Sequence, residues 1–134
     1  MSAYTTVQLE MTDPECIKLA LEEMGYPFEE HKIAQNLYGI GNHMRDQTAN
    51  IIVRRQYVGT AANDVGFLKQ SDGRYQMIIS EFDRRQTTQG TNFLKRMGQI
   101  YGKHKVLKQV RRLGYSVTST KTTEDGKLKI RVKV

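Results

Sequence analysis

The chain has 134 residues, with 21 Lys+Arg against 14 Asp+Glu, a formal charge of +7 and a single cysteine. That length suits one domain, and 38% hydrophobic residues supply one modest core and are too many for a disordered tail. One cysteine excludes an internal disulfide framework and a thiolate metal cluster. No run approaches a membrane span, and the start MSAYTTVQLEMTDPE lacks the basic and apolar regions of a signal peptide, so a cytoplasmic protein of a reducing compartment is expected.

Residues 3–11 alternate, with Val7, Leu9 and Met11 on one side and Thr6, Gln8 and Glu10 on the other, as a half-buried strand would. A helix start follows. Thr12 and Glu15 have capping-box spacing, and Asp13 before Pro14 is an equally good N-cap with a first-turn proline. Ile17, Ala20, Leu21 and Met24 then recur at helical spacing until Gly25 and Pro27 stop the pattern, giving an amphipathic helix of about three turns. Glu22 and Glu23 fall at its negative end, where the helix dipole disfavours them and a cationic neighbour would compensate.

From Phe28 to Ser80 the chain reads as strands between turn signals. Residues 31–41 are weakly patterned. Ile51, Ile52, Val53, Tyr57 and Val58 form a β-rich run interrupted by Arg54 and Arg55, and the segments Val65 to Lys69 and Tyr75 to Ile79 flank the hairpin signal Ser71-Asp72-Gly73. The middle of the chain is thus a small antiparallel meander. No internal repeat and no low-complexity linker interrupts the sequence, so residues 1–134 are expected to form a single domain.

Residues 91–113 predict the second helix, capped by Thr91 or Asn92. Phe93, Leu94, Met97, Ile100, Tyr101 and His104 fall on one arc at 100° per residue, whereas Val106, Val110 and Leu113 fall nearly opposite. The apolar face changes side around Gly98 and Gly102, which predicts a kinked helix or one covered on two sides. Gly114 ends it, and a hairpin across Glu124-Asp125-Gly126 follows. In the last strand Leu128, Ile130, Val132 and Val134 alternate with Lys127, Lys129, Arg131 and Lys133, one face apolar and the other a cationic ladder. The element order predicts an α+β domain, a small antiparallel sheet with two main helices on one face, ferredoxin-like with an added meander.

Charge is distributed unevenly along this order. Residues 1–30 carry a net of −6, residues 31–83 a net of +1 and residues 84–134 a net of +12. Such asymmetry predicts either a basic surface for an anionic partner or an acidic helix packed near a basic one within the fold or an oligomer.

Few residues suggest catalysis. His31, His43 and His104 lie on different elements without metal-ligand spacing, so neither a metal nor a cofactor is expected. Tyr101 and His104, three apart on a helix, could hydrogen-bond a common ligand, although such residues more often sit at the edge of a core. Cys16 has acidic neighbours and reads as a packed, inert thiol. Gly39-Ile40-Gly41 begins like a phosphate loop but lacks the rest of any nucleotide fingerprint. Asp46, Asp64 and Asp83 could supply an acid–base pair, but no spacing brings them together, and an enzyme is not expected. The cations are the better candidates. Arg84, Arg85, Lys95, Arg96, Lys103, Lys105, Lys108, Arg111 and Arg112, with Lys127, Lys129, Arg131 and Lys133 of the last strand, could neutralise several phosphates, and Tyr101 and Tyr115 could stack bases. Lysines on the last strand would equally guard an edge from unwanted pairing.

The start SAYTT before a helix ending in MGY, the central Asp64-Val65-Gly66-Phe67 with its hairpin to Tyr75, and Tyr101-Gly-Lys-His104-Lys105-Val106-Leu107 leading to Leu113-Gly114-Tyr115 occur in that order. Together they resemble a family of small conserved proteins typified by the hypothetical chloroplast open reading frame thirty-five protein of algal plastids and cyanobacteria, with relatives in other bacteria and in phages. The tryptophan that often follows the central hairpin in that family has no counterpart here. The resemblance implies one compact α+β domain, carries over no catalytic residue, and places the protein in the stroma if plastid or the host cytoplasm if viral. Relatives that look to be encoded beside an AAA-type ATPase imply an accessory role. The expected function is a non-enzymatic module binding nucleic acid or a phosphorylated ligand. The alternative is an interaction subunit, either a homo-oligomer or the partner of an AAA-type ATPase.

Overall fold

The computed structural model of the protein describes residues 4–59, 62–86, 88–125 and 127–133. The chain starts with strand β1 (Tyr4–Met11) and helix α1 (Pro14–Met24). Asp13 is the N-cap, its carboxylate accepting from the backbone N–H of Glu15 at 3.0 Å and of Cys16 at 3.3 Å. Thr12, the competing candidate, instead donates its N–H to the Tyr101 hydroxyl at 2.9 Å. The helix ends at Gly25 as the sequence predicts. The Val7 and Leu9 side chains expected beside Met11 lie outside the described residues, while Met11 itself is buried.

Strands β2 (Glu29–Gly39), β3 (His43–Val53), β4 (Val65–Lys69) and β5 (Tyr75–Ser80) form the expected meander, and Ile40–Asn42 is a single 3-10 turn between β2 and β3. The sheet order is β1-β5-β4-β3-β2 with every pairing antiparallel. The class is α+β with an antiparallel sheet, as the sequence predicts. Helix α1 carries the chain from β1 at one edge to β2 at the other, and the rest of the meander lies between them, with β1 paired to β5.

Tyr57 and Val58 are not in a strand either. Residues Arg55–Val58 form a short helix, α2, because the buried carboxylate of Asp64 takes the Arg55 N–H at 2.7 Å and turns the chain out of β3. Gly66 is required by close approach: a Cβ there would lie 2.5 Å from Ala49 Cβ and 3.0 Å from Leu37 Cδ2. Leu37 of β2 thus reaches across β3 onto β4 and, with Ala49, Ile52 and Ile78, closes a small cluster on the sheet's second face. Four β2 residues, 31–34, stand opposite the single β3 residue Asn50. The Asn50 amide donates to the carbonyls of His31 at 3.1 Å and Lys32 at 3.3 Å and accepts the Lys69 N–H at 3.0 Å.

Beyond β5 the chain forms helix α3 (Glu81–Gln86) and helix α4 (Thr88–Arg112). Thr91 lies inside α4 and is not its cap, and the helix continues through Gly98 and Gly102 as one element. Its first face buries Phe93, Met97 and Tyr101 against Ile17, Ala20 and Leu21 of α1 and against Val53, Phe67, Met77 and Ile79 of the sheet. Both main helices therefore cover the same face. Phe93 meets Tyr26 edge-on at 5.1 Å, a contact worth about 0.5–1.5 kcal/mol beyond its area. The second face of α4 stays open: Val106 is 44% and Leu113 63% exposed. Strands β6 (Ser116–Thr122) and β7 (Leu128–Lys133) form a separate antiparallel hairpin that meets the rest of the molecule mainly through contacts between β6 and α4. Its turn is closed by Thr123 N–H to Lys127 C=O at 2.8 Å; Gly126 and Val134 lie outside the described residues. No helix among the described residues is long and apolar enough to cross a membrane.

Candidate functional site

Two polar assemblies stand out, and they differ in how completely they are satisfied. The first lies where the loop before β4 meets the end of β2. Asp64 is fully buried, and its carboxylate accepts from Tyr38 N–H at 2.7 Å, Arg55 N–H at 2.7 Å and Arg54 Nη1 at 2.8 Å. Nη1 also donates to the Asn36 carbonyl at 3.1 Å, and the rest of the Arg54 guanidinium grips Glu29 through two bonds of 2.8 Å. That bidentate hydrogen bond pulls the Glu29 pKa down to about 2 and raises that of Arg54. Tyr4 donates its hydroxyl to the carbonyls of Asp64 at 3.1 Å and Tyr38 at 3.3 Å. Burial first, and then the Asp64 charge, raises its pKa and keeps the hydroxyl protonated.

Next to it, Asn63 connects Asp64 to the other buried aspartate. Asp83 accepts from Asn63 N–H at 2.8 Å, Asn63 Nδ2 at 3.0 Å and Ser80 Oγ at 2.8 Å, while the Asp83 N–H returns to Ser80 Oγ at 3.1 Å. Ser80 thus caps the start of α3, its hydroxyl accepting the Asp83 N–H, a signal legible in Ser80-x-x-Asp83 but missing from the elements read from the sequence. Of the three aspartates weighed as acid–base candidates, Asp64 and Asp83 are brought into one network without touching, and Asp46 is exposed. Backbone N–H groups and the Arg54 guanidinium occupy the Asp64 carboxylate, so this assembly fixes a loop to the sheet rather than presenting a reactive group.

The second assembly is the basic third of the chain, which the structure divides in two. Toward the core, α4 cations are matched by α1 acids. Lys103 contacts Glu23 at 2.6 Å and His104 Nε2 lies 3.0 Å from the same carboxylate, at the end of α1 where the dipole disfavours an acid. Lys108 pairs with Asp13 at 2.6 Å and Glu15 at 3.3 Å, and Lys105 contacts the Thr12 hydroxyl at 3.4 Å. Burial acts to raise the pKa values of Asp13 and Glu23, but hydrogen bonds from Lys108 and Lys103 outweigh it, so both carboxyls titrate below their ordinary values. Tyr101 spends its hydroxyl on the N–H groups of Thr12 and Asp13. Tyr101 and His104 therefore serve opposite ends of α1 and do not converge on one point. On α3, Arg84 and Arg85 both reach Glu81. Cys16 is buried, and that burial, followed by the Asp13 charge, raises its thiol pKa.

Away from the core the cations have no such partners. Lys95 and Arg96 near the start of α4, and Arg111 and Arg112 in its last turn, are exposed and pair with no acid among the described residues. Arg111 and Arg112 are at least favoured by the helix dipole.

The hairpin is arranged more sharply. Ser119 pairs with Arg131 and Val117 with Val132, so Thr118 is the extra residue of a bulge, its hydroxyl donating to the Arg131 carbonyl at 3.1 Å. The bulge resets the alternation of β6. Val117, Thr120 and Thr122 share a face with Val132, Ile130 and Leu128, and the other face gathers Lys121, Lys129, Arg131 and Lys133. Lys127, at the turn, lies 3.8 Å from Asp125. Lys121 is the residue the sequence reading missed, because its side of the sheet depends on the bulge. It sits directly opposite Lys129, a like-charge pairing that costs stability.

A family model described as "Protein of unknown function (DUF1257)" matches residues 20–131, and the chain belongs to that family. No curated protein and no solved structure matches it.

Proposed function

We propose that the protein is a non-enzymatic binding module that holds the phosphate backbone of a nucleic acid on the cationic face of the β6–β7 hairpin. The observation that carries this reading is Lys121 opposite Lys129 on a face that also bears Arg131 and Lys133 and, among the described residues, no acid. An edge can be protected from aggregation by isolated lysines, but setting two against each other works against the hairpin itself. Successive cations on β7 are roughly 6.8 Å apart along the strand, a row suited to an extended polyanion and indifferent to base sequence. Arg111 extends the basic surface at the end of α4. Lys103, His104 and Lys108 are committed to α1 and are not part of the site.

A fluorescence-anisotropy titration with a labelled single-stranded oligonucleotide tests the reading. Four phosphate contacts give a slope of about −2.8 in log affinity against log salt, a roughly 50-fold loss between about 50 and 200 mM. Binding should collapse in the Lys129→Glu/Arg131→Glu double variant. Affinity that is absent, or that ignores salt and the double variant, rules the reading out.

A further inference from the structure

The outward face of α4 is a second surface that the fold leaves uncovered. Along it runs an open groove of about 290 Å³ lined by Lys105, Val106, Lys108, Gln109, Val110 and Arg112. Gly102, Val106 and Val110 succeed one another at intervals of four, forming one ridge line of the helix, with exposed Leu113 close by. Lys105 and Arg112 are seven residues apart and flank this line on one side. Among the described residues nothing requires Gly102 to lack a side chain. It lies in the interior of a 25-residue helix, where only proline is less favourable, and a Cβ placed there would meet nothing within 4 Å. A glycine that no internal neighbour requires fits a site where something outside comes close.

We infer that this groove docks an amphipathic helix of a partner protein whose apolar ridge covers Val106 and Val110 over Gly102 and whose acidic flank, with carboxylates seven residues apart, meets Lys105 and Arg112. Charge selects this occupant over a second copy. Helix α4 contains no acidic residue, so two copies meeting through this face would set cations against cations. Helix α1 of a second copy cannot serve either, because its apolar residues Ile17, Ala20 and Leu21 are buried in its own core and Asp13, Glu15 and Glu23 are engaged by its own α4. The surface is distinct from the hairpin's cationic face, and neither reading depends on the other.

The test uses the full chain and two synthetic helical peptides of about 18 residues, with leucines along one ridge and either glutamates or lysines flanking it. The Glu-flanked peptide should bind and the Lys-flanked one should not. Gly102→Leu should weaken that binding at least tenfold without lowering the thermal midpoint, and Gly102→Ala should raise the midpoint by about 3 °C. Lys105→Glu/Arg112→Glu should reverse the preference between peptides. The proposal is overturned if neither peptide binds, if both bind alike, or if Gly102→Leu leaves binding unchanged. Concentration-dependent dimerisation abolished by Val106→Glu would assign the face to a second copy instead, and oligonucleotide binding lost in Gly102→Leu would assign it to nucleic acid; either result also overturns it.

Discussion

The sheet with its helices and the C-terminal hairpin handle charge in opposite ways. Around Asp64 a buried carboxylate receives two backbone N–H groups and a guanidinium, and that guanidinium is itself shared with Glu29 and a carbonyl. On the hairpin four cations share one face, two of them directly opposed, and no carboxylate shares that face among the described residues. The first arrangement is accounted for by the fold alone, since every charge there holds two pieces of chain together. The second is not, because the hairpin would be more stable without it. A charge that the fold does not need is the better indicator of an external partner.

That contrast can be broken or sharpened by substitution. The largest effect is expected at Arg54. Arg54→Ala leaves the buried Asp64 carboxylate without its counter-charge and should cost about 3–5 kcal/mol, read by urea denaturation. The same variant should flatten the acid limb of the stability curve. Glu29 titrates at about 2 in the folded protein against an ordinary 4.5, so its contribution is complete above the higher value and is lost as pH falls toward the lower. Without Arg54 that window should narrow. A smaller loss, about 1–2 kcal/mol, is expected for Asp13→Ala, which removes both the cap of α1 and the partner of Lys108. Smaller still is Glu23→Ala. It frees Lys103 and His104 but removes an acid from the negative end of α1, and should change stability by less than about 1 kcal/mol, in a salt-sensitive way. If Glu23→Ala proved as damaging as Arg54→Ala, the α1–α4 pairing would belong with the buried network and not with the surface.

What could be read from the sequence was whatever local periodicity or punctuation specifies. Asp13-Pro14 through Gly25 defines α1, Ser71-Asp72-Gly73 sets the β4–β5 hairpin, and the alternation of the last strand separates its two faces. The opposed faces of α4 were legible as well, because 3.6-residue geometry exposes them directly. The choice between an external and an internal partner for the basic third was not. The Lys103–Glu23 and Lys108–Asp13 pairs join residues 80 and 95 positions apart, and only the packing of α1 on α4 brings them together. The turn at Arg55–Val58 was misread as strand because its cause, the Asp64 carboxylate, comes nine residues later. Lys121 was overlooked since one inserted residue, Thr118, decides which side of β6 it occupies.

The claim that the hairpin's charges serve a partner and not the fold is tested most directly by Lys121→Glu, followed by amide hydrogen exchange of the hairpin and by oligonucleotide titration on the same sample. Replacing a like-charge cross-strand pair with an opposite one should strengthen the hairpin by about 0.2–1 kcal/mol, so its amides should exchange no faster, while affinity falls and the salt slope becomes shallower. Faster exchange together with unchanged oligonucleotide affinity would contradict the account, for it would mean that Lys121 is there to hold the hairpin together.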